Sequence, residues 1–190
     1  MVKIRIARYF RKTQTFGVRL PKSADEAYKL DTENGNVLWN NAISKEMTDV
    51  KVMFKSLEYG DDIPIGYAYV LCHMIFDVKM EDFRRKARLV GGGHMTDTPS
   101  TMTYASFVSR ETVHLNLVIS AFNDLKVKFR DGMDAYITAT IEEKVWTTIG
   151  PEFDNDAGNR ALIVCALYGL KSDGADFCAH LGRCMKGLGY

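Results

Sequence analysis

The chain has 190 residues, enough for one domain, or one and a half, with a sizeable core. Charged residues are 26%, hydrophobic residues 46% and the formal net charge is +1, which excludes a disordered polyelectrolyte and leaves no global basic excess of the kind many small nucleic-acid binders carry. No secretory apolar stretch follows Met1, and no apolar run approaches the ~20 residues that span a bilayer, so the expected location is the cytoplasm or nucleus, with no membrane partner.

Charge is uneven along the chain. Residues 1–12 hold Lys3, Arg5, Arg8, Arg11 and Lys12 and no acid, and residues 79–88 hold Lys79, Arg84, Arg85, Lys86 and Arg88 against Glu81 and Asp82. Val2, Ile4 and Ile6 alternate within residues 1–20, which predicts a strand or extended arm ended by Pro21. Ser23 with Glu26 is a capping-box start for a short helix, and Asn34-Gly35 marks a turn. Trp39, Ala42, Ile43, Met47 and Val50 recur at helical spacing, so a helix is expected within Val37 to Met53, its apolar stripe facing a core. Tyr59-Gly60-Asp61-Asp62 matches the Tyr-x-Asp-Asp signature of RNA-copying polymerases. The proline that follows does not suit the hairpin that signature occupies, so the match reads as chance in a loop.

Ile65 to Lys79 reads as a strand, Met80 to Asp82 as a turn and Phe83 to Val90 as a second strand, a hairpin with a basic edge. Gly91-Gly92-Gly93 lacks the Lys-Ser/Thr of a phosphate-binding loop and reads as a flexible connector. After a loop from Thr96, Ser109 caps a helix to about Asn123, with Val113, Leu117, Val118, Ala121 and Phe122 expected inward and His114 on the surface. Leu125, Val127 and Phe129 alternate with Lys126, Lys128 and Arg130, the pattern of a half-buried strand that delivers Asp131 to its C-terminal end, before a helical turn with Asp134, Ala135 and Tyr136. Taken alone, Asp131 reads either as a hard oxygen ligand for Mg²⁺ or as the cap of the following helix, the commoner task. Trp146 to Asn159 reads as a loop and Ala161 to Leu167 as a buried strand. Gly169 to Ser172 form a turn. Ser172 or Asp173 then caps a last helix to Gly187, with Phe177, Leu181, Cys184 and Leu188 as its apolar stripe.

The four cysteines, Cys72, Cys165, Cys178 and Cys184, have no disulfide-framework spacing and are expected as reduced thiols. Cys178, His180 and Cys184 lack a second ligand pair, and on a helix residue 178 does not share the face of 180 and 184, so packed thiols are expected rather than zinc. The element order is that of an α+β chain.

Four blocks carry a resemblance: Trp39-x-x-Ala42-x-x-x-Glu46, Phe83-Arg-Arg-Lys86-Ala-Arg88-Leu-Val90, Asp131 to Ala139 with Ala135-Tyr136, and Leu167-Tyr168-Gly169-Leu170-Lys171. In this order they resemble the reverse transcriptase domain of copia-type (Pseudoviridae) retrotransposon polyproteins, over nearly the whole chain. The resemblance implies a partial right-hand polymerase fold, with fingers over about 1–108 and the first part of the palm over about 109–190, truncated before the Asp-Asp hairpin. It implies an RNA-directed DNA polymerase whose Asp131 is a catalytic carboxylate and a Mg²⁺ ligand for two-metal nucleotidyl transfer. By the same resemblance Lys86 or Arg88 neutralises the triphosphate, the backbone of Asp134 and Ala135 faces it, and Tyr136 lies under the sugar. Tyr168, Gly169 and Lys171 approach the nucleotide and template. The implied partners are an RNA/DNA template-primer, a dNTP and the remainder of a polyprotein. A chain of this extent is expected to be inactive alone; the alternative is a degenerate, non-catalytic remnant that binds nucleic acid weakly through the basic hairpin. Exposed strand edges and apolar faces are expected in either case.

Overall fold

A computed structural model describes residues 13–58, 60–96, 103–105, 108–129 and 135–189. The basic segment ahead of Thr13, and Arg130 to Asp134 with the expected site residues Asp131 and Asp134, lie outside the described residues. The described chain is mixed α+β, as the order of elements predicts.

It begins with a small hairpin, β1 (Gln14–Thr15) and β2 (Val18–Arg19), whose turn puts Phe16 edge-on against Phe83 at 5.7 Å. Helix α1 (Ala24–Asn34) starts as its sequence dictates: Ser23 Oγ accepts from the Glu26 amide at 3.2 Å. Gly35, at φ 62°, ends it in the left-handed conformation that glycine adopts without steric cost. Helix α2 (Leu38–Val50) lacks a side-chain cap of its own; instead buried Asp31, from α1, accepts from the Trp39 and Asn40 amides at 3.1 and 2.8 Å. Trp39, Ile43, Met47 and Val50, one stripe of α2, are buried. They pack beside Met74, Phe76, Val78, Ala87 and Leu89, the inward positions of β5 (Cys72–Val78) and β6 (Arg85–Gly91). Each of the Val, Leu, Ile, Phe and Met side chains among them contributes roughly 1.5–3 kcal/mol through burial.

The second half is built on a four-stranded sheet in the order β3-β8-β7-β4, where β3 is Phe54–Ser56, β4 Ala68–Tyr69, β7 Thr140–Thr148 and β8 Arg160–Cys165. Three expectations need correction here. Ile65 to Lys79 is not one strand, because β4 pairs with β7 while β5 pairs with β6. Trp146 to Asn159 is not all loop: Trp146 to Thr148 complete β7, whose Glu143, Val145 and Thr147 alternate inward. Gly91 to Gly93 are no flexible connector, for all three are buried under the 167–172 turn.

Helix α3 (Arg110–Phe122) starts at the expected cap, where Ser109 Oγ accepts from the Thr112 amide at 3.1 Å, but the expectation that its apolar residues face inward fails. No residue of α3 is buried, and Phe122 is 86% exposed. Residues 125–129 form no strand, and Leu125, Val127 and Phe129 are exposed. Alternation predicts which side a strand would bury; without a ladder partner it makes no strand. Helix α4 (Asp173–Gly187) also departs from expectation: its one buried residue is Asp176, while Leu181, Cys184 and Leu188 of its apolar stripe are exposed. Among the described residues no helix is long and apolar enough to cross a membrane.

Candidate functional site

The β5–β6 ladder pairs Asp77 with Lys86, Ile75 with Arg88 and His73 with Val90. Residues two apart on a strand share a face, so Lys86 and Arg88 project together on the side away from α2. With Ile75, Asp77, Val90 and Tyr168 they line a groove of about 330 Å³. Both residues between which the sequence leaves a choice, Lys86 and Arg88, line it.

Tyr168 reaches the groove because its turn docks backbone to backbone on the glycine stretch. The Gly91 amide donates to the Tyr168 carbonyl at 2.8 Å and the Gly93 amide to the Gly169 carbonyl at 3.1 Å. Gly169 sits at φ 92°, and a Cβ there would lie 2.4 Å from the Gly91 carbonyl oxygen. The Arg88 guanidinium carbon is 4.5 Å from the centre of the Tyr168 ring, a cation–π distance. Tyr168 also meets Tyr136, ring centres 4.5 Å apart, and Tyr136 meets Phe177 at 5.6 Å. Partial burial, with Asp173 and Cys178 nearby, raises the Tyr136 phenol above its usual pKa.

The groove lining carries two cations, Lys86 and Arg88, against one carboxylate, Asp77. Desolvation, then the charges of Arg88 and Lys79, lower the Lys86 ammonium from its usual value, while Glu46 pulls the other way. Ion pairs among the described residues are Arg19–Glu26 and Arg84–Asp82, so neither Lys86 nor Arg88 is neutralised by one there. An anion entering the groove meets Lys86 and Arg88, the Lys86 ammonium already stripped of part of its water, with the Asp77 carboxylate and an aromatic wall beside them.

The first motif block supports the second. Glu46 Oε1 accepts from the Leu89 amide at 3.0 Å, and the Trp39 ring lies edge-on to Phe76 and 5.6 Å from the Arg85 guanidinium carbon. The remaining expected residues divide. Ala135 opens a 3₁₀ turn, Ala135–Thr138, that carries Tyr136. Lys171 is not in the groove lining: its Nζ donates to the Thr96 carbonyl, which ties the turn to the end of the hairpin. Asp131 and Asp134 lie outside the described residues. Asp61 is held in a loop, its carboxylate accepting from the Glu58 amide at 3.1 Å and its carbonyl from Arg160 at 2.6 Å. Among the described residues no three His, Cys, Asp or Glu side chains gather as metal ligands; Cys184 Sγ and His180 Nε2, 3.5 Å apart, stand as a pair.

Sequence reasoning passed over a buried polar cluster beneath the turn. Glu143 accepts from the Ser172 hydroxyl at 3.3 Å, and the Thr96 hydroxyl lies 3.2 Å from its other oxygen. Asp173 accepts from the Gly169 and Gly174 amides at 3.1 and 2.6 Å. Burial still raises the Asp173 carboxyl above its usual pKa, with Asp176 and Glu143 adding to the effect. A glutamate in the inward register of β7 was the available signal. It was hidden because residues 140–148 did not read as a strand.

Compared with known proteins, the chain matches no family model, no curated protein and no solved structure.

Proposed function

We propose that this chain is the fingers and partial palm of a copia-type reverse transcriptase, the part of an RNA-directed DNA polymerase that receives the incoming dNTP. The observation that carries the reading is convergence. Lys86 and Arg88 of one motif block and Tyr168 of another line one groove, and Tyr136 of a third meets the Tyr168 ring edge-on. The remaining block, Trp39 to Glu46, braces the strand from behind through Glu46. These residues are up to 122 positions apart in sequence, from Glu46 to Tyr168, and chance motif matches have no reason to meet.

In this reading Lys86 and Arg88 hold the triphosphate, and the exposed part of Tyr168 limits one side of the nucleotide. Tyr136 fixes the Tyr168 ring and, by resemblance, faces the sugar. Asp131 is the proposed Mg²⁺ ligand; a divalent ion there would activate the primer hydroxyl and hold the phosphates. Template-primer is the proposed macromolecular partner, over the basic hairpin.

The test is primer extension on an RNA template with Mg²⁺, comparing the chain alone, the chain joined to a palm segment that carries an Asp-Asp hairpin, and that longer chain with Asp131→Asn or Arg88→Ala. Extension by the longer chain alone, abolished by Asp131→Asn and weakened by Arg88→Ala, is the expected result. Nucleic-acid binding without extension in any form replaces this reading with the non-catalytic remnant.

A further inference from the structure

We infer that Glu143 is a positioning residue for the groove: it clasps the 167–172 turn to the end of β6 and thereby sets where Tyr168 stands beside Arg88. The inference rests on reading the groove as a triphosphate site. Glu143 is 9% exposed and occupies the inward register of β7 with Val145 and Thr147, where an apolar side chain would pack at no electrostatic cost. A register shift between Thr140 and Val145 interrupts the β7–β8 ladder around it, the irregularity that re-aims a side chain.

Its two oxygens reach two different segments. One faces the hydroxyl of Thr96, just past β6, and the other accepts from Ser172, at the end of the turn. Lys171 joins the same two segments by donating to the Thr96 carbonyl. Ser172 precedes α4 at the position where a serine ordinarily caps, yet it makes no capping bond and its fully buried hydroxyl is directed to Glu143. Forgoing that cap is intelligible if the clasp matters more than the helix start. The Thr96 hydroxyl also lies 2.9 Å from the Gly93 carbonyl, so its one proton is shared between two acceptors. A glutamine at 143 can donate to the Thr96 oxygen, free that proton for Gly93, and still accept from Ser172. Alanine leaves both hydroxyls without this partner.

Three consecutive amides report on the clasp separately from the rest of the fold. Gly91 and Gly93 donate to the turn, at Tyr168 and Gly169, while Gly92 between them donates to Leu71. The experiment measures hydrogen exchange at these amides, and the dissociation constant for dATP with Mg²⁺, in the full chain and in Glu143→Ala, Glu143→Gln and Arg88→Ala. In Glu143→Ala, protection at Gly91 and Gly93 is expected to fall about tenfold or more while Gly92 and the β5–β6 ladder keep theirs. The dATP dissociation constant rises about tenfold in parallel, and Glu143→Gln restores both. Arg88→Ala weakens dATP binding with exchange unchanged. Unaltered exchange at Gly91 and Gly93 in Glu143→Ala overturns the inference, and so does a loss that spreads to Gly92 and the ladder. If the unsubstituted chain binds no dATP but the glycine pattern is found, the clasp stands and the triphosphate reading falls.

Discussion

Helices α2 and α3 are both thirteen residues long, and both carry apolar residues at helical spacing, yet α2 buries Trp39, Ile43, Met47 and Val50 while α3 buries nothing. The difference lies in what faces them. The β5–β6 hairpin offers α2 an inward row of Met74, Phe76, Val78, Ala87 and Leu89, and Asp31 holds the helix start from α1. Val113, Leu115, Leu117, Val118, Ile119 and Phe122 of α3 are all exposed. A periodic pattern says that a helix has a side to bury; burial itself needs a second surface.

The strongest way to break the comparison is at its packed end. Ile43, 2% exposed, sits under the hairpin, and Ile43→Ala removes buried methyl groups and leaves a cavity. Urea unfolding should report a loss of about 2–5 kcal/mol. A loss below about 1 kcal/mol would mean that α2 is no better packed than α3.

Gly169→Ala comes next. The new Cβ must occupy a left-handed φ of 92° and meet the Gly91 carbonyl at 2.4 Å, neither of which a flexible side chain can relieve. Strained backbone alone costs about 1–3 kcal/mol. The expected outcome is lower thermal stability together with loss of the edge-on Tyr136–Tyr168 contact at the groove wall, read from tyrosine fluorescence.

Legibility follows the same division. The start of α1, the extent of α2 and the strands of the basic hairpin come from local signals: a capping box, a 3.6-residue stripe and a two-residue alternation. Lys86, Arg88, Tyr168 and Tyr136 could be named because short motifs carried them, and the strand period then brings Lys86 and Arg88 together. What failed to be legible depends on distant partners. Leu125 to Phe129 alternate like a strand and pair with nothing described, whereas β7, with mixed polarity around Glu143, is a strand because β8 and β4 flank it. The buried role of Gly91 to Gly93 is set by a turn some seventy-five residues later.

A smaller effect concerns pH. Burial raises the folded-state pKa of Asp173 above its usual 3.8, so folding favours the protonated carboxyl. Its contribution to stability is full below 3.8 and is lost as pH rises through the raised value. Asp173→Asn should flatten that part of the stability profile across the mildly acidic range. A parent chain whose stability instead rises with pH across that range, with the rise removed by Asp173→Asn, would show that the two amide bonds from Gly169 and Gly174 outweigh burial.

The smallest expected effect is the one that isolates the cause. Leu117 on α3 is 40% exposed, and the helix around it is held by the Ser109 cap and its own backbone. Leu117→Ala therefore removes little buried area, and alanine is the better helix former, so the two terms oppose each other. Urea unfolding should shift by no more than about 0.5 kcal/mol, against several for Ile43→Ala on a helix of equal length. The same substitution should lower the binding of an apolar dye, because α3 with Leu125, Val127 and Phe129 forms the largest run of exposed apolar side chains in the described chain. A large destabilisation from Leu117→Ala would mean that α3 is covered in solution, and the contrast with α2 would then be one of partner rather than of packing.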